Sequence, residues 1–318
     1  MTPQEAQIIR EWYLKQDAPT TIFLARGQGA ADERLAAFCD RFKEAAPRTR
    51  LLNAPEQSYR APALIIGRHA NIAYQAVPEG RELNPFLEAL SAAALDDTKQ
   101  AAPFGQDIAL PAELALYIAM QCPYCPMAVK QLTALAETNP ALRIAIVDGL
   151  LFDQEARAQG IRSVPTLILD DHLRWVGRID MQEVIDQCVR RDPTQLSPAS
   201  LRRMLEAGDA ARAAALMVDH DRIFPALIDL LVHERWSVRL GAMVTVEYLA
   251  DQASELAAGL VAPLWDRFDT LSEPVQGDVV QVLGQVASET AKKHLRQIAS
   301  GDFADSVRQA ALEELGDD

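Results

Sequence analysis

Between residues 113 and 189 apolar residues come in short runs bounded by turn signals, alternating with longer stretches at helical spacing. Residues 113–119 predict a strand and residues 123–137 a helix, with Ala128, Val129, Leu132 and Leu135 on one face. A β-rich run over 143–147 and a short polar helix over 152–158 follow. Then come the apolar run 163–169, a turn at Asp170-Asp171, a strand over 173–176 and a last helix from Met181 to Val189. The order is βαβαββα, which predicts a small mixed α/β sheet.

The preceding segment reads as a degraded copy of the same pattern. Residues 21–25 match the first strand and 30–45 the helix, whose apolar face is Leu35, Ala36, Phe38, Cys39 and Phe42. The run 61–66 parallels 164–169, and a turn, a strand (72–77) and a helix (85–94) follow it. Aligning the first strands sets Gln28 opposite Cys122 and Ala31 opposite Cys125. The polar, proline- and glycine-containing stretch 96–106 suits a joint. After Arg191 the pattern is helical only. Apolar helices opening at Trp236, Glu273 and Asp305 recur every 32 to 37 residues with an amphipathic helix between them. A weaker pair, 210–217 and 223–232, precedes them. The expected fold class is α/β plus all-α, with three parts: 1–106, 107–192 and 193–318.

Chemistry concentrates at Cys122-Pro123-Tyr124-Cys125, where a predicted strand hands over to a predicted helix. A thiolate at a helix N-terminus faces unpaired backbone N–H groups and the positive end of the dipole, which makes it a nucleophile near neutral pH. The second cysteine, one turn on, is placed to attack a mixed disulfide on the first. The competing readings are half of a zinc site or two inert thiols. Zinc needs two further ligands, and Cys39 and Cys188 are isolated while His69, His172, His220, His233 and His294 form no close pair, so no metal site is expected. Cys39 and Cys188 read as core fillers. Gly27-Gln28-Gly29 lacks the length and lysine of a phosphate loop and reads as a turn; Asp219-His220-Asp221 reads as solvated surface.

Composition narrows the setting. A chain of 318 residues with a formal net charge of −14 has the wrong sign for nonspecific binding to nucleic acid or anionic lipid. No apolar run is long enough to span a bilayer, and the polar start, residues 1–16, predicts no export. Four cysteines with a single close pair suit a reducing compartment, so the cytoplasm is the expected location.

Cys122-Pro123-Tyr124-Cys125 followed by Pro126, with Ser163-Val164-Pro165-Thr166 downstream, resembles the thioredoxin and glutaredoxin superfamily. The tandem pattern is similar to two-unit protein disulfide oxidoreductases and to the N-terminal module of alkyl hydroperoxide reductase flavoproteins, whose first unit also lacks a dithiol. The resemblance spans about residues 18–190. It implies two tandem thioredoxin-like units, Cys122 as attacking and Cys125 as resolving thiol, and Pro165 as a cis-proline packed against them. It further implies a substrate surface made by Pro123, Tyr124, Val164, Pro165 and Thr166. At Pro62 cis and trans stay open.

The buried acid that thioredoxins carry on the first strand has no match, since Leu116 falls near that position. The glutathione-holding cluster of glutaredoxins is only echoed by Gly177 and Asp180. The helical third resembles HEAT repeats, which implies an α-solenoid holding a protein partner. Together these implications predict a protein disulfide oxidoreductase with no cofactor beyond the Cys122–Cys125 disulfide. It would act on disulfide-containing proteins and be re-reduced by a donor that is thioredoxin reductase-like or glutathione. The alternative is a redox-switched adaptor without turnover.

Overall fold

A computed structural model of the chain describes residues 1–54, 60–93 and 108–316 and divides it into two compact units, Met1–Arg190 and Arg191–Asp318. The joint expected over 96–106 lies outside the described residues.

The first unit opens with helix α1 (Pro3–Tyr13), which sequence reading passed over as polar terminus. Thr2 caps it, its hydroxyl accepting from the Glu5 amide at 3.2 Å while Glu5 reaches back to the Thr2 amide. Strand β1 (Thr21–Ala25) and helix α2 (Ala30–Ala45) follow as expected. Next come β2 (Arg50–Asn53), a strand the sequence did not announce, β3 (Ala63–Ile66), β4 (Ile72–Gln75) and α3 (Leu83–Ala93). The second half contributes β5 (Ala112–Ile118), α4 (Cys125–Thr138), β6 (Leu142–Asp148), α5 (Asp153–Ala158), β7 (Thr166–Leu169), β8 (Leu173–Val176) and α6 (Met181–Arg190).

Among the described residues eight strands form one sheet in the order β2-β1-β3-β4-β6-β5-β7-β8. The halves meet where β4 runs parallel to β6, with Ile72 opposite Ile144 and Tyr74 opposite Ile146. Asn71 reinforces the seam: its side-chain amide donates to the carbonyls of Ala136 at 2.9 Å and Leu142 at 2.8 Å. Lys130 pairs with Glu88 and Arg60 with Glu155 across the same junction. The alternation of β5 sends Leu114, Leu116 and Ile118 into the main core with Phe38, Phe42, Phe86 and Leu132, and Tyr117 to the opposite face with Val147 and Ile168.

The second unit is helical: α7 (Pro198–Glu206), α8 (Ala210–Asp219), α9 (Pro225–Leu231), α10 (Trp236–Gln252), α11 (Ser254–Ala258), α12 (Val261–Phe268), α13 (Glu273–Val286), α14 (Glu289–Ser300) and α15 (Asp305–Gly316). Helix α7, capped by Ser197 with Pro198 in its first turn, was not foreseen. Side-chain contacts repeat at a fixed offset. Arg267 donates to Asp229, Ser272 to Glu234 and Gln285 to Glu247, each pair 38 positions apart, and Arg239 donates to Asp278, 39 apart. No described helix is long and apolar enough to cross a membrane.

Candidate active site: a cysteine pair at the head of a helix

The cysteines sit at the C-terminal end of β5. The Cys122 amide donates to the Ala119 carbonyl at 2.9 Å, turning the chain toward α4. The helix begins at Cys125, two residues later than the pattern suggested. Two prolines compete to open it; Pro126 falls in the first turn, where a missing N–H costs nothing, and Pro123 stays outside. Cys122 therefore precedes the helix and Cys125 is its first residue. The Cys125 N–H donates to Cys122 Sγ at 3.1 Å, so the sulfur occupies the place an anion takes at a helix N-terminus. The two residues are paired as a disulfide, with Cα atoms 5.5 Å apart.

Cys122 is 7% exposed and Cys125 not at all. Cys122 is the more accessible of the two, though only a sliver of it reaches solvent. Its cover is the loop before β7. β5 and β7 pair antiparallel with Tyr117 opposite Thr166, which carries Val164 and Pro165 to the disulfide. Cys122 Sγ lies 3.8 Å from the Val164 carbonyl oxygen, and the Val164–Pro165 bond is cis. Pro123, Tyr124, Val164 and Pro165 line a groove of about 1040 Å³, and Tyr124 is 75% exposed. Thr166 does not belong with them. Its side chain is buried and its hydroxyl donates to the Ser163 carbonyl at 2.7 Å, because the strand register turns it into the sheet.

In the first half the Ala61–Pro62 bond is likewise cis, and α2 starts at Ala30 after Gly29, whose φ of +80° demands glycine. Matching helix starts sets Gly27 opposite Cys122 and Ala30 opposite Cys125, one residue from the strand-based alignment, because the loop is shorter here. A Cβ on Gly27 would stand 2.9 Å from Pro62 Cδ, so the chain itself fills the space. Gly27-Gln28-Gly29 is a turn into a helix, and Asp32 from the helix's first turn ties it down, accepting from the Gly27 amide at 2.8 Å and from Arg26.

One group near the pair escaped sequence reading. Glu82, on the short turn Gly80–Glu82, is fully buried, and neither carboxyl oxygen has a hydrogen-bond partner among the described residues. The turn packs against α4, and the Gly80 backbone lies next to Met120 in the loop before Cys122. Burial, aided by the charge of Asp148 at the end of β6, lifts the Glu82 pKa from 4.5 to about 7. Asp148 itself accepts from the Leu150 amide at 2.9 Å. The missed signal was spacing: Glu82, Phe86 and Leu90 share one helical face, so an acid stands in line with core residues.

Cys39 and Cys188 are buried and outside the disulfide, and burial pushes the Cys39 thiol up to about 12. Among the described residues no group of His, Cys, Asp and Glu converges as a metal site. Asp221 occupies an exposed turn after α8 with φ of +46°.

Residues 113–190 match the family model described as a thioredoxin domain. The F component of alkyl hydroperoxide reductase in Pseudomonas aeruginosa is 29% identical over 110 residues, 33% of this chain and 21% of that protein. Its counterpart in Xanthomonas campestris pv. phaseoli is 24% identical over 173 residues, 51% of this chain and 33% of that protein. The chain thus spans a fifth to a third of these relatives' length. Among solved structures, the N-terminal N/C domain of alkylhydroperoxide reductase from Enterococcus faecalis superposes with a TM-score of 0.50 at 19% identity, covering 59% of this chain and 99% of that one. A protein disulfide oxidoreductase from Aeropyrum pernix gives a TM-score of 0.50 at 18% identity, covering 62% and 95%. These likenesses establish a thioredoxin-like α/β region followed by helices.

Proposed function

We propose that the chain is a thiol–disulfide oxidoreductase acting on protein disulfides through Cys122 and Cys125. The observation that carries this reading is the Cys122 sulfur, held by the Cys125 amide and facing the backbone of Val164, a residue that lines a groove with Pro123 and Pro165. With the pair reduced, the Cys122 thiolate attacks one sulfur of a substrate disulfide, forming a Cys122–substrate disulfide and releasing the other substrate sulfur as a thiolate. Cys125, deprotonated, then attacks Cys122 Sγ, forming the Cys122–Cys125 disulfide and releasing the second substrate thiolate. Two electrons pass to the substrate. A cis Val164–Pro165 bond leaves the Val164 backbone free to align an extended segment, while Pro123, Tyr124 and Pro165 shape its seat.

Proton release from the buried Cys125 needs an acceptor, and Glu82 supplies one: a carboxyl near pH 7 balance on the turn packed against α4. A thiol-based donor, thioredoxin reductase-like or glutathione, restores the dithiol, and no cofactor beyond the cysteine pair is invoked. Several relatives are named as components of a reductase, which supports the reducing direction.

In this reading 1–106 is a degenerate thioredoxin-like unit, 107–192 the redox unit and 193–318 a HEAT-like solenoid that holds a protein partner. Helix α10 supports the last assignment. Trp236 (59% exposed), Leu240 and Tyr248 are exposed, with half-buried Val244 between them at four-residue spacing, an apolar ridge beside Glu247 and Asp251. The test is turnover of a protein disulfide by the full chain under an excess of dithiol donor. Many equivalents reduced per chain, and none by Cys122→Ser, are expected. One equivalent per chain would favour the redox-switched adaptor, and none would overturn the reading.

A further inference from the structure

Helix α10 shows the solvent a face of mixed chemistry. Trp236, Leu240, Val244 and Tyr248 follow one another at four-residue spacing and form a ridge roughly 18 Å long, at about 1.5 Å per residue. A turn of about 100° per residue sends Glu247 and Asp251 out from the same face, between the ridge positions, and both are exposed. The last turn of α10 holds no basic residue, so Asp251 stands at the negative end of the helix dipole with no cation beside it in that turn. An acid there weakens its own helix, and local stability does not account for it.

Shape and charge together say what fits this face. The Arg239–Asp278 bond joins α10 to α13 at the residues next to Leu240 and Gly277, and no atom lies within 4 Å of where a Cβ on Gly277 would stand. The ridge thus has a low shoulder beside it. A row of side chains four residues apart is also what seats in the groove between two such rows of a second helix. Around the ridge α10 and α13 carry Glu247, Asp251, Glu273 and Asp278, while their one cation, Arg239, is buried and already bonded to Asp278. A second copy of this chain would bring the same acids against the ridge, and an anionic lipid surface would be repelled as well; the net charge of −14 adds to both effects. A helix with lysine or arginine beside an apolar stripe meets opposite charge instead, and the exposed rings of Trp236 and Tyr248 offer its cations a π face.

Resting on the reading of 193–318 as the part that holds a protein partner, we infer that the exposed face of α10 binds a basic amphipathic helix of that partner. The apolar stripe of this helix lies along Trp236, Leu240, Val244 and Tyr248, and its Lys or Arg residues lie over Glu247 and Asp251. The step is binding alone, with no covalent chemistry.

The test titrates the full chain with three labelled synthetic peptides of about 18 residues, long enough to cover the ridge, and reads fluorescence anisotropy. The first peptide has leucine at the stripe positions of a helix and lysine elsewhere. The second has glutamate for every lysine, and the third has the composition of the first in an order that breaks the stripe. The first should bind about tenfold tighter than the third and weaken as salt is raised, and the second should not bind measurably. Trp236→Ser with Leu240→Ser should weaken the first peptide about tenfold, the loss that truncating an aromatic anchor brings. Glu247→Gln with Asp251→Asn should weaken it about threefold and lower its salt dependence. All four positions are exposed, so circular dichroism should report unchanged helix content, and Leu312→Ser, an exposed leucine on α15, should leave binding as it is. The inference is overturned if the second or third peptide binds as tightly as the first, if neither double variant moves the affinity, or if Leu312→Ser costs as much as the ridge variant. In those cases a peptide still binds and the partner-holding reading stands. Binding of none of the three would overturn the inference and count against that reading too.

Discussion

Replacing Glu82 with glutamine removes a charge that can form only inside the core. The Glu82 carboxyl is fully buried without a hydrogen-bond partner among the described residues, and its pKa rises from 4.5 to about 7. Below about pH 4.5 the group is protonated in the folded and the unfolded chain alike and adds no pH dependence. Between there and pH 7 the unfolded chain gives up the proton while the folded chain keeps it, so stability falls as pH rises. At 1.36 kcal/mol per pH unit the loss amounts to about 3 kcal/mol and is complete above pH 7. Glutamine keeps the shape and cannot ionise. The variant should therefore match wild type near pH 4.5 and exceed it by about 3 kcal/mol at pH 8, read by hydrogen exchange of the β4, β5 and β6 amides, which isolates the first unit. A pH-independent difference, or a less stable variant at pH 8, would refute the burial argument. The same substitution should slow release of substrate from Cys122 at pH 7 and leave formation of the mixed disulfide alone. If both steps keep their wild-type rates from pH 6 to 8, Glu82 is no proton acceptor.

In the reduced protein Cys122 should be alkylated faster at pH 7 than free cysteine, and Cys39, lifted to about 12, should react only on unfolding; mass spectrometry of iodoacetamide adducts reads both. Cys125→Ser should form stable mixed disulfides through Cys122, and Cys122→Ser none, as seen on non-reducing gels. Asn71→Ala strips the donor from two buried carbonyls at the seam of the sheet and should cost about 2 kcal/mol in urea unfolding of the first unit. Arg239 is buried, donating to Asp278 at 2.6 Å and to the carbonyls of His233 and Glu234. Arg239→Ala should destabilise the helical unit by about 3 kcal/mol, read by exchange of the α10 and α13 amides.

What could be read from the chain alone was what local pattern determines. The strand–dithiol–helix passage, the run 163–169 and the turn at Asp170-Asp171, both residues with positive φ, are encoded within a few positions, and each falls within two residues of its expected place. Elements whose existence depends on distant contacts stayed hidden. Strand β2 is short and mostly exposed and forms by pairing with β1; helix α1 buries chiefly Ile9 and owes its start to the Thr2 cap. Thr166 shows the opposite error, a motif extended one residue too far, since alternation along β7 turns it away from the groove that Val164 and Pro165 line. Glu82 shows what local pattern could not reveal. An acid was sought on the strand that leads to the cysteines, where Leu116 stands, whereas the buried carboxyl of the fold lies on the Gly80–Glu82 turn of the other half, packed against α4. Residues 1–93 carry no thiol at the matching turn, yet they supply the Gly80–Glu82 turn packed against α4 and the strand paired with β6. The half without the dithiol thus places a buried carboxyl against the helix that carries the dithiol in the other half, and the Glu82→Gln measurements decide whether that carboxyl takes part in the exchange.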